Sequence, residues 1–343
     1  MAYSTISKPS LHFNTKLYTG NGGTNAQTGV GFQPDWLWIK GRSNANWHWL
    51  TDSVRGNTKN IFTNSTQAEG TNADGITAFG TDGFTVGSNT DVNGNGNTFV
   101  SWNWKAGGAG STNTDGSINS TVSVNTTAGF SVVKYTGNGS DQTVGHGLGV
   151  APSMIIVKCL TATHDWVVYH QRMGNGKAIG LNSTSAEYSA TGWQNTSPTN
   201  QVFYIKGGAN SVSQSGDFVA YCFAEKKGYS KFGSYKGNGS AEGSFIYTGF
   251  KPAFIMTKRN DGSSDWLICD NTRDTDNGVF KKLFPNTNGT EDSYISFDFV
   301  SNGVKIRSDG NGHNANNAAF IYMAVAEEPL VANVGASIPA TAR

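Results

Sequence analysis

Three times along the chain an arginine, a lysine, an asparagine and a glutamate fall in the same order. They are Arg55, Lys59, Asn64 and Glu69; Arg172, Lys177, Asn182 and Glu187; and Arg273, Lys281, Asn286 and Glu291. Cations within reach of one carboxylate and one amide can make charge-assisted hydrogen bonds. Such a group either braces a loop or forms three equivalent ligand sites, and repeated weak sites would give avidity. Trp193 has no aligned aromatic in the other copies and is the candidate for an exposed contact. The arginines, lysines and glutamates, with Trp193, form the candidate ligand-binding set.

Other chemistry finds little support. The histidines at 12, 48, 146, 164, 170 and 313 show no H-E-x-x-H spacing, no G-x-S-x-G elbow occurs, and no carboxylate pair recurs as a glycosidase would need. The expectation is no enzyme, no catalytic residue, no metal and no cofactor. Asp91-Val-Asn-Gly-Asn95-Gly96 opens like a calcium loop, but its twelfth position is Trp102 where a bidentate glutamate is required. That segment and Asp309–His313 are read as hairpin tips. Cys159, Cys222 and Cys269 are too few for a disulfide scaffold and read as small buried side chains.

The elements that must position the candidate residues repeat with them. Tyr18-Thr-Gly-Asn-Gly22 returns as Tyr135–Gly139 and, with lysine for threonine, as Tyr235–Gly239. Each copy is followed by a proline, Pro34, Pro152 or Pro252, that opens an apolar run. An Asn-Trp or Asp-Trp pair follows (Asn46-Trp47, Asp165-Trp166, Asp265-Trp266), and each copy closes on a matching strand. Repeats of this length point to stacked or strung domains rather than one large core. The Gly-Asn-Gly forces a tight turn. The run after each proline is apolar on both faces, as in a strand covered on both sides. Val100, Trp102 and Trp104 match Val219, Tyr221 and Phe223, then Ile321, Met323 and Val325, so one face of the closing strand is core. Trp36 and Trp38 align with Met154 and Ile156 and are expected to pack inside; Trp49 is aligned with Val168 and Ile268 and read the same way. Asp-Gly and Asn-Gly between alternating apolar residues, as in 76–86 and 294–306, mark hairpins.

The expected architecture is all-β: three tandem β-sandwich modules of jelly-roll type with extended termini. The boundaries are a polar N-terminal arm at 1–10, module one at 11–105, a flexible Gly/Ser/Thr/Asn-rich linker at 106–128, module two at 129–227, module three at 228–330 and a tail at 331–343. The joint between modules two and three is short, so those two should hold a fixed orientation. Glycine is 44 of 343 residues and only 14% are charged, which suits a turn-rich β surface. With 25 basic and 24 acidic residues the net charge is +1, and no basic stripe suits a nucleic acid. No apolar run is long enough for a membrane span, and the N-terminus lacks a secretory h-region.

The phrases VGFQPDWLWIK with DSVRG, VGHGLGVAPSMIIVK with DWVVYH, FAEKKGYSKFGSYKGNG with YTGFKPAFIMTKR, and the closing SIPATAR carry a resemblance. Over nearly the whole chain it resembles tandem-repeat virion proteins of tailed, often marine, bacteriophages, described as structural or tail-fibre-like. The resemblance implies a virion component with lectin-like β-sandwich modules, tail-fibre or spike-associated and serving host attachment or assembly; the lack of a secretory h-region adds the expectation of synthesis in a host cytoplasm. Other virion proteins, copies of itself in a homo-oligomer with a trimer as first expectation, and a host-surface glycan are the implied partners. The alternatives are a capsid-decorating or head-fibre protein, a free carbohydrate-binding lectin, and a depolymerase.

Overall fold

The structure, a computed structural model, describes residues 4–329; the tail expected at 331–343 lies outside them. Helix in this span is confined to a 3-10 turn at Pro9–Leu11 and the short helices Thr90–Asn93, Asn210–Ser213 and Asn311–Asn314. The rest is strand and loop, in antiparallel sheets, so the chain is all-β.

Each repeat builds a larger sheet on the same plan. An opening strand pairs with the closing strand, which pairs with the post-proline strand, which pairs with a return strand. In repeat one these are Phe13–Thr19, Thr98–Trp104, Trp36–Gly41 and Trp49–Asp52. In repeat two they are Phe130–Gly137, Gly216–Phe223, Met154–Cys159 and Val167–His170, and in repeat three Ser230–Lys236, Ala319–Pro329, Phe250–Arg259 and Trp266–Asp270. Register fixes the equivalences. Trp36, Met154 and Phe254 each lie opposite both the closing strand and the last residue of the return strand, which is Asp52, His170 or Asp270. A smaller second sheet belongs to each repeat, two-stranded in repeat two, three-stranded in repeat one and four-stranded in repeat three.

The repeated Tyr-x-Gly-Asn-Gly has one structural job in all copies. The hydroxyls of Tyr18, Tyr135 and Tyr235 donate to the carbonyls of Val92, Val212 and His313, at 2.7, 2.7 and 2.8 Å, and so tie the opening strand to the short helix. The two glycines serve different needs. A Cβ on Gly20 would stand 2.2 Å from the Gly94 carbonyl oxygen, whereas Gly22, Gly139 and Gly239 take positive φ. Asp91 and Asp309 were expected at hairpin tips. Instead Asp91 lies in the short helix Thr90–Asn93 and Asp309 just before Asn311–Asn314.

Apolar residues of both parities explain the packing. On one face of the larger sheets Leu37, Ile39 and Phe99 pack with Phe84 and Val86 of repeat one's smaller sheet, and repeats two and three have equivalent clusters. On the other face Trp36, Trp38, Trp102 and Trp104 join Met154, Ile156, Tyr221 and Phe223, and Phe254, Met256 and Met323, in one cluster contributed by all three repeats. The expectation of stacked or strung domains rather than one large core is therefore corrected in part: each repeat keeps a cluster of its own, and all three share another. Each large sheet is covered on both sides because its second face meets the other two repeats. The three cysteines are buried and unpaired.

Two segments read from composition also differ. Residues 106–128, expected as a flexible linker, carry strands Ser111–Asn113 and Ser120–Asn125, which extend repeat two's sheet through Ser120↔Tyr135 to Asn125↔Phe130. The cause is the β-branched content of Thr121, Val122 and Val124 inside a Ser/Thr/Asn-rich run. The polar arm is anchored as well, because Ile6 is buried in the shared cluster. The joint between repeats two and three is short, with Lys226 bridging to Ser230 and Ala326 N–H donating to Tyr229 O at 2.8 Å.

Candidate functional site

The three sequence-selected glutamates lie at the seams between repeats. The backbone N–H of Glu69 donates to Leu160 O at 2.9 Å, that of Glu187 to Asn260 O at 2.8 Å, and that of Glu291 to Arg42 O at 2.9 Å. One contact thus runs from repeat one to two, two to three, and three back to one. A head-to-tail contact that returns to its start makes a closed ring. The glutamate side chains finish each seam differently. Glu69 takes Arg55 at 3.0 Å and Lys59 at 3.7 Å; Glu187 takes Asn260 Nδ2 at 2.8 Å and Lys177 at 4.0 Å; Glu291 takes Arg42 through two bonds of 2.9 Å and Arg273 at 3.2 Å. Lys281 does not meet Glu291; it pairs with Asp274 at 3.4 Å. The asparagines cap the return strands, with Asn64, Asn182 and Asn286 accepting at 2.9 Å from the backbone N–H of His48, Trp166 and Trp266.

These bonds correct two alignments. His48, not Trp47, is the counterpart of Trp166 and Trp266, so Trp49 matches Val167 and Leu267 rather than Val168 and Ile268. Likewise Arg55 and Arg273 stand three residues after Asp52 and Asp270, a place that Met173 takes after His170. Arg172 is one position short and exposed, so it is not part of the brace.

The aspartates reach across the seams. Tyr221 donates its hydroxyl to Asp52 Oδ2 at 2.8 Å, and Trp102 donates its indole N–H to Asp270 Oδ2 at 3.0 Å. Burial opposes the charges on Arg55 and Arg273, but Asp52 with Glu69, and Asp270 with Glu291, outweigh it and hold both guanidiniums above their usual pKa. In repeat two His170 donates from Nε2 to Tyr322 O at 3.2 Å and accepts the Arg172 N–H at Nδ1, the neutral tautomer. Burial is the main cause that pushes it down to about 4.

Lys40, Lys158 and Lys258, one at the same place in every post-proline strand, are fully buried at the seams. Their ammonium groups donate to carbonyls of the preceding repeat in the ring, Asn288 at 3.3 Å, Thr66 at 2.8 Å and Thr184 at 3.0 Å. Burial lowers all three to about 8. Their identity in WLWIK, MIIVK and IMTK was the signal that sequence reasoning passed over.

Two clefts open on the outside at equivalent places, between the return strand and the short helix. In repeat three a cavity of about 290 Å³ is lined by Asp265, Leu267, Lys282, Asn311 and His313. Burial pushes His313 down to about 4, and its Nε2 has no partner. In repeat two a cavity of about 260 Å³ is lined by Val167, Tyr188, Thr191, Trp193 and Ser211, among others. Trp193, expected to be exposed, is 2% exposed, stacked edge-on against Tyr169, because GWQNTS folds back over the return strand; its Nε1 has no partner. In repeat one the indole of Trp49 takes the corresponding place, close enough to Gly75 that a Cβ there would stand 2.3 Å from the ring. Among the described residues no group of three His, Cys, Asp or Glu side chains could hold a metal ion, and no helix is long and apolar enough to cross a membrane.

Residues 8–329 match the model of a family described as a domain of unknown function (DUF7483). No curated protein and no solved structure matches the chain.

Proposed function

The chain belongs to this family of unknown function, and from its own residues we propose a structural protein of a bacteriophage virion, tail-fibre or spike-associated, that attaches to a host surface or to neighbouring virion proteins. Each repeat is read as one β-sandwich of jelly-roll, lectin-like kind, with the shared core on its inner face.

The observation that carries the reading is the closed ring. Each repeat spends its inner face on the shared cluster and turns its smaller sheet outward, so one chain presents three related surfaces. Repeated surfaces suit attachment by many weak contacts. The conserved plan of the repeats lies in seams and turns rather than in a constellation of acid and base. Phe245, Tyr247, Phe280 and Tyr294, all on repeat three's smaller sheet, are 40–56% exposed, the kind of apolar surface that meets a partner. Other virion proteins and further copies of the chain are the proposed partners, met through these outer sheets, with host glycan in the clefts. Nucleic acid and membrane are not among them.

Gold-labelled antibody against the chain, applied to intact phage particles, tests the reading. Label at the tail is expected. Label confined to the head would overturn it in favour of capsid decoration, and label absent from particles but present in the soluble lysate would favour a free lectin.

A further inference from the structure

We propose that the outer cleft of repeat two binds one neutral sugar ring. This deepens the attachment reading and rests on it for its biological purpose, but the site is argued from its own walls.

The cavity holds about 260 Å³, just below the roughly 300–1,000 Å³ of small-molecule sites, so it takes a single ring rather than a chain. Its walls carry no charged side chain. Tyr188, 45% exposed, supplies an aromatic surface at the mouth, and Trp193, 2% exposed, one at the base. Tyrosine and tryptophan each offer an apolar body and a polar tip. Ser189, Thr191, Asn210 and Ser211 add hydroxyl and amide groups to the lining. Hydroxyls and amides donate and accept, which matches a ligand rich in hydroxyls rather than an anion or a cation.

The second observation is the indole of Trp193. Its Nε1–H is closed off from solvent and without a partner, and the ring is held at the base of the cleft by packing edge-on against Tyr169. Repeat three's cleft differs in kind, because Asp265, Lys282 and His313 line it. Repeat one has Trp49 where repeat two has Val167, and its ring lies close against Gly75.

The repeats themselves supply the blocking variant. Val167→Trp copies repeat one's residue into repeat two, while Leu267→Trp does the same in repeat three as a control. The intact chain is titrated with glucose, galactose, mannose and N-acetylglucosamine, with glucuronate and inorganic phosphate as charged probes, by saturation-transfer NMR. At least one neutral sugar should bind with a dissociation constant of about 1 mM, weakened about tenfold or more by Val167→Trp and unchanged by Leu267→Trp. Tyr188→Ala, at an exposed position, should weaken it as well and decides the matter should Val167→Trp fail to fold. No binding of any neutral sugar at about 50 mM, charged probes bound in preference, or sugar binding indifferent to the repeat-two variants would each overturn the proposal. None of these outcomes bears on where antibody finds the chain in a particle, so this proposal and the virion reading fail separately.

Discussion

In repeat one the Trp49 ring lies against Gly75 and closes the space beside the short helix, while in repeat two Val167 at the same register leaves a cleft of about 260 Å³. The inner faces differ as well. Repeat one holds its seam with Asp52 and Arg55, both buried, and repeat two with His170 and Met173 in their place. Yet the strand order, the tyrosine tie and the glutamate N–H bond across the seam are the same. The backbone is therefore fixed by features the repeats share, and single side chains are free to open a cleft or to exchange an ion pair for neutral groups. Function, on this comparison, is to be sought where the repeats disagree.

The largest expected effect comes from breaking a buried pair on one side. Asp270→Ala in repeat three leaves Arg273 with Glu291 alone and removes the acceptor of Trp102. Chemical denaturation should show a loss of about 3–5 kcal/mol. Copying repeat two's solution with Asp270→His and Arg273→Met together should cost less than half as much, since replacing both charges avoids stranding one. A double variant as damaged as the single one would show that repeat three depends on its charges in a way repeat two does not.

Acid should sharpen the same contrast. His170 is neutral in the folded chain with its pKa lowered to about 4, against about 6.5 unfolded. The unfolded chain binds the extra proton between those values, so stability is full above about pH 6.5 and falls as pH drops toward 4. The loss from this residue is roughly 2–3 kcal/mol, and His170→Gln should remove part of it in unfolding measured from pH 7 to 4. His313 contributes a loss of the same sign. Lys40, Lys158 and Lys258, lowered to about 8, make stability rise from about pH 8 toward 10 in all three seams alike.

Smaller effects should be equal across repeats where the structure is equal. Tyr18→Phe, Tyr135→Phe and Tyr235→Phe each remove one hydroxyl bond to the short helix and should cost about 1 kcal/mol apiece by thermal unfolding. The exposed pair Lys206–Asp141 at 2.7 Å belongs to repeat two alone, and Lys206→Ala should change stability by no more than about 0.5 kcal/mol.

Much of this plan was legible in the sequence, and the gaps have physical causes. The post-proline runs read as doubly covered strands because Leu37 and Ile39 alternate with Trp36 and Trp38, and both sets are buried. What lay over the second face was not legible, since apolarity names no partner. The Arg/Lys/Asn/Glu positions were found by repetition, but Arg172 was taken for the brace because an arginine stood nearby; only the strand register shows Met173 there. Serine, threonine and glycine make residues 106–128 read as a linker, and the β-branched Thr121, Val122 and Val124 outweigh that composition where an edge is available to pair with. Trp193 failed for the opposite reason: lacking aligned aromatics it looked exposed, whereas it fills a space particular to repeat two.

The account stands on three repeats sharing one core, and calorimetry of the intact chain tests this most directly. One cooperative transition is expected, with the calorimetric enthalpy equal to the van't Hoff enthalpy, and Asp270→Ala should move the whole of it to lower temperature. Separate transitions for the repeats, with Asp270→Ala displacing one and leaving the others in place, would contradict a shared core.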